Sequence, residues 1–278
     1  MTLSFVLALA SLATRPCVEI PFRWTPGQIE IQVSLNRRPP LWFILDSGAE
    51  YSVIGSDVAQ AAGLQTSKRL SRDFATGVIL DIGGVTLRDQ DVMVLPLNNF
   101  KAQHRDIHGL VGYDFFARAA VTIDYEKKVI SACDAQAFRA DPHAAILPLT
   151  FAGRLPVVEV VLTLDDGTRL PLRAMVDLGA QIPMMVRYPF ASAHDLLRSG
   201  SDPSTAPSVL GPRPIVRLPA QRITIGPWTI DSLAVEADSR PAGAAGSTDT
   251  DALIGNDLLR HFRVTFDYSR RRLILEKR

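Results

Sequence analysis

The sequence predicts an all-β protein built from two similar halves. Three observations carry that expectation. Apolar residues fall mostly at every second position, turn signals recur at short intervals, and four blocks of the first half return in the same order in the second. Ile29, Ile31, Val33 and Leu35 alternate with Glu30, Gln32 and Ser34, the pattern of a strand with one buried face. Val158 to Leu164 is the equivalent strand, and Asp166-Gly167 behind it is a hairpin turn signal. Gly83-Gly84 and Gly226-Pro227 mark further turns. Helices are expected to be few and short: one capped by Ser56 and stopped by Gly63, another from Pro189 to Ser199 stopped at Gly200. Two polar stretches, Arg198 to Pro214 and Ala237 to Asp251, read as loops.

The repeat is read from spacing. Leu110-Val111-Gly112-Tyr113-Asp114 returns 143 residues later as Leu253-Ile254-Gly255-Asn256-Asp257. Val121-Thr122-Ile123-Asp124-Tyr125 returns at the same interval as Val264-Thr265-Phe266-Asp267-Tyr268. Ile44-Leu45-Asp46-Ser47-Gly48-Ala49 matches Met175-Val176-Asp177-Leu178-Gly179-Ala180, 131 residues on, and Ile20-Pro21-Phe22 matches Leu147-Pro148-Leu149, 127 on. The offsets drift slowly, as loop insertions make them do. The sequence thus predicts two copies of one unit, residues 17–135 and 144–278, meeting in the aperiodic stretch Ala135 to Ala144. Tyr125 and Tyr268, at matched positions, read as core.

Composition narrows the function classes. A chain of 278 residues has room for about two domains. Its net charge of +1 gives no basic footprint for nucleic acid and no acidic excess for a solvating tail. The 18 Gly and 19 Pro are an ordinary share, which excludes collagen-like and low-complexity classes. Two cysteines exclude a disulfide-dense scaffold and a CxxC zinc site.

Leu3 to Ala13 is an apolar run too short to span a bilayer and of the length of a signal-peptide core. Ala8-Leu9-Ala10 and Ser11-Leu12-Ala13 offer small residues for cleavage, although Met1-Thr2 carries no positive charge. Residues 1–16 are read as a probable signal peptide, against the alternative of a buried terminal strand or helix. The expected place is periplasmic or secreted, or membrane-tethered if the leader stays uncleaved. Pro16 before Cys17 argues against lipidation. In an oxidising compartment Cys17 and Cys133 are the one possible internal pair.

The chemical signal is the twice-written pattern apolar-apolar-Asp-x-Gly-Ala. An Asp at the end of a hydrophobic strand is costly to bury without partners, and the Gly after it permits a tight turn with close backbone approach. Each copy is followed by a hydrophobic-hydrophobic-Gly segment, ending at Gly112 and Gly255. If the halves pack about a pseudo-twofold axis, the two Asp turns meet on it.

These residues resemble the aspartic proteases, in particular bacterial retropepsin-like proteins with two such domains in tandem. Phe43-Ile44-Leu45-Asp46-Ser47-Gly48-Ala49 carries the likeness most strongly, and it spans roughly Val18 to Glu276. The resemblance implies two retropepsin-like β-barrel lobes in one chain, an internal pseudo-dimer that is monomeric as a molecule. It implies a catalytic dyad of Asp46 and Asp177. Ser47, Gly48, Ala49, Leu178, Gly179 and Ala180 would form the supporting turns, with Gly112 and Gly255 packed behind them. It implies a peptide or protein substrate and no metal, organic cofactor or nucleic-acid partner. The family has Ser or Thr after each Asp, and here Ser47 fits where Leu178 does not. A further hydroxyl usually follows the Ala, where this chain has Glu50 and Gln181. Glu50 either adds a charge near the site or points to solvent. Hairpin flaps are expected near Arg72 to Val78 and Thr205 to Pro212.

Other chemistries lack their residues. The sequence has no GxSxG elbow, Walker A loop or GxGxxG. His104 and His108 have no evident third metal ligand and read as solvated loop histidines. Arg270-Arg271-Arg272 reads as a solvated turn. The expected function is an aspartic endopeptidase. Two alternatives remain: a catalytically degenerate two-lobe module that binds peptides or proteins, or an N-terminal lobe active only as a homodimer.

Overall fold

Strands rich in Val, Ile, Leu and Phe dominate the computed structural model, which describes residues 17–278 apart from 26, 70, 99, 101–104, 200–202, 207–211 and 242–247. The expected all-β class holds. The longest described helices, Ser56–Ala61 and Tyr188–Ala193, have six residues each. Three sheets organise the chain, and two of them follow the same plan. The first runs in the order Arg23–Thr25, Gln28–Leu35, Leu41–Leu45, Gly109–Val111, Val53–Gly55, Val85–Leu95, Arg72–Ile82, Thr66–Arg69. The second repeats this with Leu155–Leu164, Arg169–Val176, Ala252–Ile254, Met184–Val186, Val235–Asp238, Arg213–Leu218 and Ser204–Ala206. The long Arg72–Ile82 and Val85–Leu95 hairpin of the first sheet turns at Gly83 and Gly84, both at positive φ. Its counterpart in the second sheet is broken at Pro219 and at Ser232, and so adds the separate strands Ala220–Ile225 and Trp228–Asp231.

The third sheet joins the halves. Its order is Val18–Pro21, Val129–Cys133, Ala120–Asp124, Phe262–Asp267, Arg272–Lys277, Ala145–Pro148, every neighbour antiparallel. At its centre Thr122 lies opposite Thr265, and their buried hydroxyls are 2.8 Å apart. Such a cross-strand pair contributes about 0.2–1 kcal/mol and fixes the register of the two central strands. The chain breaks after Val18–Pro21 at Phe22 and after Ala145–Pro148 at Leu149, and both side chains are buried in the core.

Several local expectations change. Ser56 does not cap its helix; Gly55 occupies the cap position, and Ser56 is the first helical residue. The helix expected over Pro189 to Ser199 is two short ones, Tyr188–Ala193 and Leu196–Ser199, because Asp195 takes a positive φ of 54° between them. The two polar stretches are not loops throughout: Ser204–Ala206 pairs with Arg213–Leu218, and Asp238 closes a strand that begins at Val235. Glu30 does not face water. It is 1% exposed, and Arg23 and Arg105 both donate to it, which is what permits a buried carboxylate on this strand. Arg270 and Arg272 are not merely solvated, since both bind the buried carboxylate of Asp267. Burial pushes that carboxyl's pKa up, but hydrogen bonds from Arg272, Ser269 and Arg270 outweigh it and hold the carboxyl below its usual value.

A disulfide joins Cys17 to Cys133, with Cα atoms 4.1 Å apart and 116 residues of separation. It staples the edge strand Val18–Pro21 to its neighbour Val129–Cys133. The expected signal sequence, residues 1–16, lies outside the described residues. Closing a loop this long lowers the entropy of the unfolded chain by about 4–5 kcal/mol in the chain-entropy treatment. Replacing both cysteines by Ser is therefore expected to lower the urea-unfolding free energy by up to that amount. The native oxidised chain should show no titratable thiol.

Candidate active site

Each Asp turn is set by the strands before and behind it. Leu41–Leu45 ends in the buried run Phe43-Ile44-Leu45, which pairs in parallel with Gly109–Val111. Val111 then accepts a hydrogen bond from the Asp46 N–H at 2.9 Å, so the last apolar pair delivers the carboxylate. The second half does the same: Ala174-Met175-Val176 pairs in parallel with Ala252-Leu253-Ile254, and Ile254 accepts from the Asp177 N–H at 2.9 Å. Both turns close alike, with the Ala49 and Ala180 N–H groups each 3.3 Å from the carbonyl of their Asp. Gly112 and Gly255 stand behind them. A Cβ on Gly112 would lie 2.6 Å from the Ala49 carbonyl, and one on Gly255 2.7 Å from that of Ala180. Only glycine lets these backbones touch.

The two turns meet. A Cβ on Gly48 would fall 2.6 Å from Cγ of Asp177, and one on Gly179 would fall 2.7 Å from Cγ of Asp46. Each glycine is thus the floor on which the opposite carboxyl rests. The Gly48 N–H donates to Asp46 Oδ1 at 2.9 Å and the Gly179 N–H to Asp177 Oδ1 at 2.8 Å. The Asp46 and Asp177 side chains are hydrogen-bonded to each other. Ser47, fully buried, crosses between the turns: its hydroxyl donates to Val176 O at 2.7 Å and accepts from the Leu178 N–H at 3.0 Å. Leu178 returns no such contact. Its side chain is buried in the main hydrophobic core.

Electrostatics separates the two carboxyls. Burial pushes Asp46 well above the usual carboxylate range, and the charge of Asp177 and the hydrogen bond with it push further in the same direction. Burial also raises Asp177, but the Gly179 N–H, the hydrogen bond with Asp46, the Arg187 guanidinium and the Ala180 N–H all pull the other way. Both carboxyls are therefore held above their usual range, and they titrate as a pair that retains one proton more readily than a free carboxyl does. A pair in this state can transfer one proton in each direction.

Residues 31–115 match the aspartyl protease family model. Asp46, Ser47, Gly48, Ala49 and Gly112 fall inside the matched segment, and the Asp177 turn lies beyond it. No curated protein matches the chain. The aspartyl protease likeness thus covers the half whose motif is complete, while the second turn is placed by geometry alone.

Several residues at this aspartyl protease-like site carried no sequence signal of their own. Gln28 donates from Nε2 to Gly179 O at 2.8 Å, reaching from the first sheet into the second turn. Its neighbour Gly27 lies under Gln181, where a Cβ would be 2.6 Å from Gln181 Cβ. The reciprocal contact uses Gly153 and Arg154: a Cβ on Gly153 would be 2.6 Å from Glu50 Oε1, and Arg154 stacks over Tyr51 and pairs with Asp114. Glu50 is accordingly turned toward this hairpin at the surface. Tyr125 is not only core; its hydroxyl donates to Asn256 Oδ1 at 2.7 Å. Of the expected flaps, Arg72 to Val78 lies in the hairpin formed with Thr66–Arg69, and the Thr205 to Pro212 segment falls mostly outside the described residues. His104 also lies outside them, and His108 faces Asp106 at 3.3 Å.

The raised pKa values make a stability prediction. A carboxyl whose folded-state pKa exceeds its unfolded value favours folding while protonated. That contribution is intact below about pH 3.9 and is lost as pH rises through the raised values. Asp46→Asn stays neutral throughout. Its melting temperature is expected to exceed that of wild type near neutral pH, with the difference shrinking toward about pH 4. Thermal melts across that range check the sign, and a difference independent of pH would show that the carboxyls are not raised.

Proposed function

We propose that the protein is an aspartic endopeptidase, with residues 17–135 and 144–278 as the two lobes of one catalytic unit and Asp46 and Asp177 as its dyad. The observation that carries this reading is the meeting of two Asp-x-Gly turns, each carboxyl resting on the other's glycine. Two carboxyls in hydrogen-bond contact share one proton. Asp177, ionised, takes a proton from a water held between them as that water attacks the peptide carbonyl. Asp46, protonated, donates to the carbonyl oxygen as it gains charge. The gem-diol intermediate then expels the amine, which receives the proton first taken by Asp177, while one gem-diol hydroxyl returns its proton to Asp46 as the carboxyl product forms. One new C–O bond replaces the C–N bond, and the dyad ends as it began.

Leu178 is the observation favouring the alternative, a two-lobe module that binds a peptide without cleaving it. The homodimer reading has less support, because the Asp46 turn already faces Asp177 of its own chain. Export to the periplasm or the exterior is supported by the Cys17–Cys133 bond, of a kind that forms and persists mainly in oxidising compartments. Among the described residues no helix is long and apolar enough to cross a membrane.

The test is cleavage of a broad peptide library between about pH 3 and 8 by wild type, Asp46→Asn and Asp177→Asn. Each variant is expected to lose at least about 10²-fold in kcat, the ordinary scale for removing a general acid or base. The wild-type profile should be bell-shaped, its acid limb from the first carboxyl to ionise and its upper limb from loss of the retained proton. Equal rates for Asp177→Asn and wild type would overturn the in-chain dyad. A wild type as inert as Asp46→Asn would favour the binding module.

A further inference from the structure

We propose that Asn256, oriented by Tyr125, is the positioning residue of the Asp177 turn, whose Leu178 sends no hydroxyl across to the first turn. This rests on the endopeptidase reading of the dyad. The hydroxyl of Ser47 crosses from the first turn to the second, to Val176 O and the Leu178 N–H. Leu178 sends nothing back. The second turn is held again by a side chain of its own half. Asn256, with no exposed surface, donates from Nδ2 to Leu178 O at 2.5 Å and to Gly27 O at 3.0 Å. One amide thus ties the second turn to the hairpin of the first sheet.

The amide has one workable orientation. Tyr125 donates to Oδ1 at 2.7 Å, which leaves both N–H groups for the two carbonyls. Turned over, the amide would set its oxygen against two carbonyl oxygens and its NH₂ toward the phenol, losing both donations. Tyr125 is itself fixed by edge contacts with Trp24 and Phe22, at 5.6 and 6.4 Å between ring centres. Burial raises the pKa of its phenol, which keeps it a donor at any pH the dyad uses. Gln28 then holds the next carbonyl, that of Gly179. The residue matching Asn256 in the first half is Tyr113, which packs as a ring against Tyr268 and beneath Arg154. The polar brace therefore occurs in the half whose turn carries Leu178, and the half that carries Ser47 has a tyrosine at the matching position.

The test compares wild type, Asn256→Ala, Tyr125→Phe and the double variant Asn256→Ala with Leu178→Thr. On one cleavable peptide, Asn256→Ala is expected to lower kcat about tenfold, the scale of one well-made hydrogen bond, with KM within twofold. Tyr125→Phe removes one oxygen without opening a cavity and should move kcat the same way by less. Leu178→Thr should restore part of the loss. Titration of the Asp46 carboxyl by carbon NMR provides a readout that does not need turnover. Its pKa should fall in Asn256→Ala, because Asp177 no longer sits against it, and recover in the double variant. If both single variants fold and leave kcat and the Asp46 titration as in wild type, the positioning role is wrong. If wild type cleaves nothing yet the titration shifts as stated, the brace stands and the endopeptidase reading fails.

Discussion

The meeting of the two Asp turns depends on the absence of two Cβ atoms. Gly48 and Gly179 let each Asp carboxyl rest directly on the opposite turn, with no room for a Cβ on either side. That contact cannot be made by flexible loops, because two desolvated carboxyls repel unless a proton is shared and held. It needs turns fixed to fractions of an ångström. The parallel pairs Phe43-Ile44-Leu45 with Gly109–Val111, and Ala174-Met175-Val176 with Ala252–Ile254, supply that rigidity. The six-stranded sheet, registered at its centre by Thr122 and Thr265, fixes the two halves against each other.

The halves share a plan but not their means of support. Ser47 of the first turn ties the second from inside the contact, and Asn256 and Gln28 tie that same turn from outside it. Gly27 under Gln181 and Gly153 beside Glu50 show the same exchange on the surface, each half placing a hairpin glycine against the turn of the other. Such reciprocal contacts couple the halves. A shift in the Arg23–Thr25 and Gln28–Leu35 hairpin reaches Gly179 through Gln28, and one in the Thr150–Ala152 and Leu155–Leu164 hairpin reaches Glu50 through Arg154.

The strand class and both Asp turns were legible in the sequence because each is a local pattern written twice. Alternation of apolar residues and the Asp-x-Gly strings need no knowledge of the partner. The brace was not legible in the same way. Asn256 appears in the repeat only as a mismatch with Tyr113 inside an otherwise matched block, and its role depends on Gly27 and Tyr125, far away in sequence. Glu30 misled for a related reason. Its place in an alternating strand predicts exposure, and only the arrival of Arg23 and Arg105 from other segments makes burial tolerable. The helix expected to be continuous from Pro189 failed at Asp195, whose left-handed backbone no propensity rule demands.

The two carboxyls also sit in unequal surroundings. Asp46 is pushed up by burial and by Asp177, and the Gly48 N–H offsets part of this. Asp177 has the Arg187 charge in addition to backbone donors. Arg187 follows the Met184–Val186 strand, at the place where the first half has Ser56 after Val53–Gly55. It is buried, held by Thr250 through Nε at 2.9 Å, and shares its field with Asp238. A buried cation on one side adds to the pull of the backbone donors, because within a desolvated site a single charge is screened little. Divergence between the halves, a Ser at one position and an Arg at its counterpart, therefore gives two matching turns unlike electrostatic surroundings.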